Sequence, residues 1–142
     1  MIRVVLAVAL ATALVGVGVS AGERTERDRN AELATSELET VAERAARLAA
    51  ENDPVAPRNG PATTTLTLRP PVPTLTDGGQ LYLDDDRLVW RPTTGRNRTV
   101  DPGVAIRVES PISIARPTRV RLRLLRGESA PVVRIDRPRV EA

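Results

Sequence analysis

From Val4 to Val19 the chain is apolar except at Thr12, and a charged, helix-favouring segment follows as far as Asn52-Asp53-Pro54. Taken from Ile2 to Ala21, this stretch is about 20 residues, or about 30 Å of helix at a rise of 1.5 Å per residue, which matches the hydrocarbon thickness of a bilayer. Such a run either spans the membrane once or acts as a cleaved secretory signal. In the second case Val19-Ser20-Ala21 supplies a small-residue site before Gly22. Both readings send the residues behind it outward. Arg3 and the amino terminus are positive, whereas Glu23 to Arg29 is close to neutral, so the positive-inside bias favours a cytoplasmic N-terminus. The expectation is a single-pass protein of the cell membrane with its C-terminal domain outside.

Beyond the leader, apolar residues recur at Ala31, Ala34, Leu38, Val41, Ala45 and Leu48, the alternating three-and-four spacing of a helix-packing seam. Two readings fit it: a coiled-coil or filament contact, or a helix face lying on the protein's own sheet. The second is favoured because the seam lasts under three heptads. The pairs Glu23/Arg27, Arg24/Asp28 and Glu43/Arg47 flank it at i,i+4, each contributing about 0.2–0.5 kcal/mol. Pro54 is expected to close the helix, since its ring cannot continue the hydrogen-bond ladder.

After a Pro/Gly-rich connector the period changes to two and turn residues become frequent, so the remainder reads as β. The expected order is a leader over 1–22, an amphipathic helix over 23–53, a linker over 54–61 and an extracytoplasmic β-rich domain over 62–142. The fold class is α+β, a helix followed by a small antiparallel, sandwich-like β-domain. Strands are expected at Thr63–Leu68, Val72–Leu75, Gln80–Leu83, Arg87–Trp90, Val104–Val108, Ile112–Ala115, Arg119–Leu125 and Val132–Ile135. The clearest hairpin returns Leu81-Tyr82-Leu83 through Leu88-Val89-Trp90. Pairing Asp84 with Arg87 puts Leu81, Leu83, Leu88 and Trp90 on one face and buries the most apolar surface. Without Phe, and with one Tyr and one Trp, the core rests on Val, Leu and Ile, and so small a core leans on the helix.

Composition excludes several chemistries. The chain has no Cys and no His, so disulfides, thiolate metal sites, zinc hydrolysis and Ser-His-Asp catalysis are all closed to it. All 21 basic residues are Arg, and the charge is uneven: Met1 to Asp86 holds 8 Arg against 13 acids, Arg87 to Ala142 holds 13 Arg against 5. No enzyme activity and no cofactor is expected.

Three patterns invite a functional reading. Arg119, Arg121 and Arg123 alternate with aliphatics, a ladder that can grip phosphates, anionic headgroups or acidic glycans, or that simply faces outward and pairs with acids on neighbouring strands. Asp84-Asp85-Asp86 offers oxygen ligands to a hard cation, but it lacks the Gly and Glu spacing of a calcium loop and reads as a solvated turn. Asn97-Arg98-Thr99 is an N-glycosylation sequon on an expected loop. Nucleic acid is not an expected partner, because no aromatic residues interleave with the arginines.

The plan of Met1 to Leu48 joined to a β-rich head resembles that of type IV pilins and pseudopilins. The leader Met1-Ile2-Arg3-Val4-Val5-Leu6-Ala7, the Lys-free, Cys-free composition and the ending Val132-Val133-Arg134-Ile135-Asp136-Arg137-Pro138 resemble haloarchaeal single-span membrane proteins associated with pilus and secretion genes. The chain departs from the pilin pattern in having no Gly or Ala before Val4 and no Glu in the apolar run. The resemblance implies a non-catalytic structural or accessory protein of a surface assembly, with membrane lipid and other assembly proteins as partners. The alternative is a secreted domain, released by signal peptidase, that binds an anionic partner through the arginine-rich strand face.

Overall fold

The computed structural model describes residues 2–52, 60–75 and 77–138, with side chains from Ala21 onward. One helix, α1, runs unbroken over Ile2–Glu51, across the position expected to divide leader from amphipathic segment. After Gly22 it contains neither Gly nor Pro and is rich in Ala, Glu and Arg, all strong helix formers. The side chains of the apolar leader, Pro54 and most of the expected linker lie outside the described residues. Among the described residues, no helix is long and apolar enough to cross a membrane.

Among the described residues eight strands follow: β1 (Thr63–Leu68), β2 (Gly79–Asp84), β3 (Arg87–Pro92), β4 (Arg98–Val100), β5 (Ala105–Val108), β6 (Ile112–Ile114), β7 (Thr118–Arg126) and β8 (Pro131–Asp136). They form two four-stranded sheets, ordered β1-β7-β8-β5 and β4-β3-β2-β6. The β2–β3 hairpin has Asp84 opposite Arg87, Leu83 opposite Leu88 and Leu81 opposite Trp90. Its two-residue turn places Asp86 in the left-handed region, at φ 53°, a conformation that Asp tolerates better than most side chains.

Two strand expectations need correction. Val72–Leu75 is loop, with Val72 80% and Leu75 106% exposed; Pro70, Pro71 and Pro73 deprive that segment of the amide donors a ladder requires. Conversely Arg98 and Thr99, read as loop, lie with Val100 in the short strand β4 on the rim of its sheet. The domain is also not wholly antiparallel: β5 pairs with β8 in parallel. A parallel pair needs a long crossover, and here β6 and β7 lie between the two strands in sequence.

A single core joins the three layers. Ala34, Leu38, Val41, Ala45 and Leu48 of α1 meet Leu68, Ile106, Leu122, Val133 and Ile135 of one sheet and Leu81, Leu83, Leu88, Trp90 and Ile114 of the other, with Ala31 packed at its margin. Each fully buried Leu, Ile or Val contributes about 1.5–3 kcal/mol of transfer free energy, before the cost of ordering it. Two polar contacts fix the helix along its length. The Arg69 amide donates to Glu37 Oε2 at 2.9 Å, and Asn30 Nδ2 donates to Asp77 Oδ2 at 2.8 Å. The close fit shows at Gly79, where an added Cβ would stand 2.5 Å from the Trp90 indole and 2.6 Å from the Arg91 carbonyl oxygen.

Candidate functional site

The arginine ladder stands on the outer face of the first sheet, because β7 buries Val120, Leu122 and Leu124 and turns the intervening residues away. Thr67, Thr65 and Thr63 of β1 lie opposite Arg119, Arg121 and Arg123. On the other side Asp136 of β8 takes two of the three: Arg121 Nε donates to Asp136 Oδ1 at 3.0 Å, and Arg123 donates to Asp136 Oδ2. The Asp136 side chain is only 13% exposed, so these two charges are held inward by a shielded carboxylate. Arg134, beside Arg123 in the sheet, pairs with Glu109 at 2.8 Å. Among the described residues Arg119 alone of the ladder has no partner.

The aspartate cluster is engaged in a different way. The Ile106 amide donates to Asp86 Oδ1 at 2.7 Å, and the Val108 amide donates to Asp85 Oδ1 at 2.8 Å. The Asp86 amide in turn donates to the Ile106 carbonyl at 3.1 Å, and Arg107 lies 3.0 Å from Asp86 Oδ2. The hairpin turn of the second sheet thus satisfies the outward amides of β5, the last strand of the first. Asp84 Oδ1 accepts from the Asp85 amide at 2.9 Å. Among the described residues, no group of three or more Asp, Glu, His or Cys is placed to hold a metal ion.

Asn97 is exposed immediately before β4, with Arg98 and Thr99 of its sequon exposed on that strand. The sequon therefore lies half on loop and half on the rim of a sheet.

A further concave surface brings together residues that the sequence alone did not group into a site. A groove of about 320 Å³ lies between α1 and the β3–β4 corner. Arg24, Arg27, Asp28 and Ala31 line it from the helix, Trp90 and Pro92 from β3, Thr94, Gly95 and Arg96 from the following loop, Arg98 from β4, and Asp77 from the loop before β2. Gly95 adopts φ 105°, which a side chain would strain, so the loop forming this wall requires glycine there. Four arginines face two aspartates. Arg27 pairs with Glu23 at 3.4 Å; among the described residues Arg24, Arg96 and Arg98 have no ion-pair or hydrogen-bond partner.

Asp77 is 5% exposed. Asn30 holds its Oδ2, while its Oδ1 is buried with no donor. A buried carboxylate oxygen without a donor is costly and calls for an explanation. Asp77 is tied back to Thr74: the Asp77 amide donates to Thr74 Oγ1 at 3.0 Å, and the Thr74 amide donates to the Asp77 carbonyl at 2.7 Å. Stepping back four residues from Ala34 along the seam lands on Asn30, a polar residue on a buried stripe. That was the available signal. Its partner, 47 residues away in sequence, left none.

The groove presents guanidinium donors and two carboxylates, the exposed Asp28 and the buried Asp77 with one oxygen lacking a donor, with no imidazole or thiol anywhere in the chain. Its chemistry is recognition of a group that is anionic at one end and a hydrogen-bond donor at the other. No curated protein and no solved structure matches the chain. Residues 1–138 match the profile of a family described as a domain of unknown function, DUF7311, and the chain belongs to that family.

Proposed function

We propose that this protein is a non-catalytic, membrane-anchored extracytoplasmic structural or accessory protein. Its leader spans the lipid once, and its sandwich-like head takes part in a pilus-like or secretion assembly. The observation that carries this reading is the continuity of α1. One helix runs from Ile2 to Glu51, and its buried positions extend from Asn30 to Leu48. The element that begins with the apolar leader is therefore the same element around which the head is built. Nine residues of helix separate Ala21 from Asn30, about 14 Å, so head and anchor are joined by a rod without a Gly- or Pro-rich hinge after Gly22. The candidate cleavage position after Ala21 lies within the helix, where backbone is less available to a protease than in an extended segment, and this favours retention of the leader.

The test is fractionation of intact cells followed by an alkaline wash, with the mass of the mature chain measured. Retention in the washed membrane at full mass, with the head digestible from outside, is the expected result. Recovery in the soluble cytoplasmic fraction would overturn the reading. Loss of the first 21 residues would instead favour the secreted alternative, whose arginine ladder has only Arg119 uncommitted.

A further inference from the structure

We propose that the groove between α1 and the β3–β4 corner is a headgroup site for an anionic phospholipid bearing free hydroxyls. Arg24, Arg27, Arg96 and Arg98 hold the phosphodiester, and Asp77 Oδ1 accepts a hydrogen bond from a headgroup hydroxyl. The assignment rests on the anchored reading, which places the groove near the lipid.

Three independent observations converge on it. The first is charge: three of the four arginines lining the groove have no partner among the described residues, unlike Arg121 and Arg123, which share Asp136. Uncommitted guanidinium groups converging on one concavity suit a phosphate, whose oxygens accept their fixed donor fork. The second is Asp77 Oδ1, buried without a donor on a side chain that lines the same groove. A bare phosphate does not satisfy that oxygen and would be repelled by it. A phosphodiester extended by a hydroxylated group brings the missing donor, and so turns an unfavourable carboxylate into a discriminating one. The third is position. Arg24 and Arg27 lie three and six residues beyond Ala21, about 5 and 9 Å along the helix, and the headgroup layer of one leaflet is about 5–8 Å deep. When the apolar run fills the hydrocarbon, Arg24 thus lies within the headgroup layer and Arg27 just beyond it, so the groove starts in that layer and continues outward past it.

The chain provides its own probe, because Trp90 lines the groove and is the one Trp in the sequence. The experiment is a titration of Trp90 emission in the full chain, held in neutral detergent micelles. Phosphatidylglycerol, phosphatidylmethanol and phosphatidylcholine are added separately, with free glycerol phosphate as the soluble arm. Phosphatidylglycerol and phosphatidylmethanol carry the same charge and differ in the hydroxyls. Phosphatidylglycerol is expected to saturate the signal at about tenfold lower mole fraction than phosphatidylmethanol, the size of one hydrogen bond to a charged acceptor. That preference should vanish in Asp77→Asn, whereas a purely electrostatic groove would bind both lipids more tightly after the same change. The double variant Arg96→Gln/Arg98→Gln alters two exposed side chains and leaves the core intact; it is expected to weaken both anionic lipids at least tenfold.

Equal binding of the two anionic lipids by the unaltered chain overturns the proposal, as does unchanged binding by the double arginine variant. Saturation by free glycerol phosphate at the same concentration assigns the groove to a soluble phosphate ester and overturns the lipid assignment. The micelle titration does not depend on cellular location. A flat titration from a chain that fractionates with membranes sinks this inference alone; a chain recovered as a soluble cytoplasmic protein sinks the anchored reading.

Discussion

Replacing Leu38 with Ala tests the packing on which the described fold depends. Leu38 is fully buried in the core that α1 shares with both sheets. The change removes the equivalent of three methylene groups, about 2.4 kcal/mol at ~0.8 each, and leaves a cavity that a closely packed β core closes only in part. The expected loss is about 3–4 kcal/mol, a large share of the ~5–15 kcal/mol that holds a domain of this size together. At about 4 °C per kcal/mol the midpoint of thermal unfolding should fall by roughly 12–16 °C. Trp90, buried in the same core, reports the transition by fluorescence, and Leu33→Ala on the half-exposed side of the helix should stay within ~0.5 kcal/mol. A midpoint unchanged over a tenfold range of protein concentration is expected for a seam packed inside one molecule. A loss below ~1 kcal/mol, or a midpoint that climbs with concentration, would refute the reasoning and show that the seam faces a second chain.

Three further outcomes follow from the geometry. Gly79→Ala should destabilise by about 2–3 kcal/mol, since the new Cβ meets both the indole and a backbone oxygen; denaturant unfolding checks it, and a cost under ~0.5 kcal/mol would mean that the hairpin yields freely. Asp85→Ala/Asp86→Ala should speed hydrogen exchange at the Ile106 and Val108 amides by at least roughly tenfold while exchange in β7 stays slow, as each amide loses a charge-assisted bond. Asp136→Asn should cost about 2–3 kcal/mol and raise retention on an anionic resin at low salt, because Arg121 and Arg123 lose their shared carboxylate; unchanged retention would leave the face inert.

What the sequence made legible was whatever depends on local period. The spacing from Ala31 to Leu48 marks the buried stripe of α1, and strict alternation through Leu81, Leu83, Leu88 and Trp90 fixes the hairpin register, since a one-residue slip would turn every one of them to solvent. Val72–Leu75 misled because its apolar content resembles a strand while its prolines forbid one. Strand β4 escaped because a three-residue polar strand on a sheet rim carries no alternating signal. The parallel pairing of β5 with β8 and the meeting of Asn30 with Asp77 depend on the packing of distant segments, which no window along the chain contains. The groove inherits that illegibility, since its arginines come from the start of the helix and from the β3–β4 corner.

Reversing Arg121 and Arg123 would not probe an idle surface, because both are tied to Asp136 and the change would set three acids side by side. Arg119 is the residue at which that face can be tested without unsettling the sheet. The carboxylates of Asp85 and Asp86 act on the β5 border of the same sheet, and their consequence reaches beyond stability. By answering the amides of β5 from within the chain, they stand in for a fifth strand, and a neighbouring copy finds no free ladder there on which to register. Any polymer these heads build must therefore grow from a different flank, and the molecule is protected on this side against indiscriminate fibril formation.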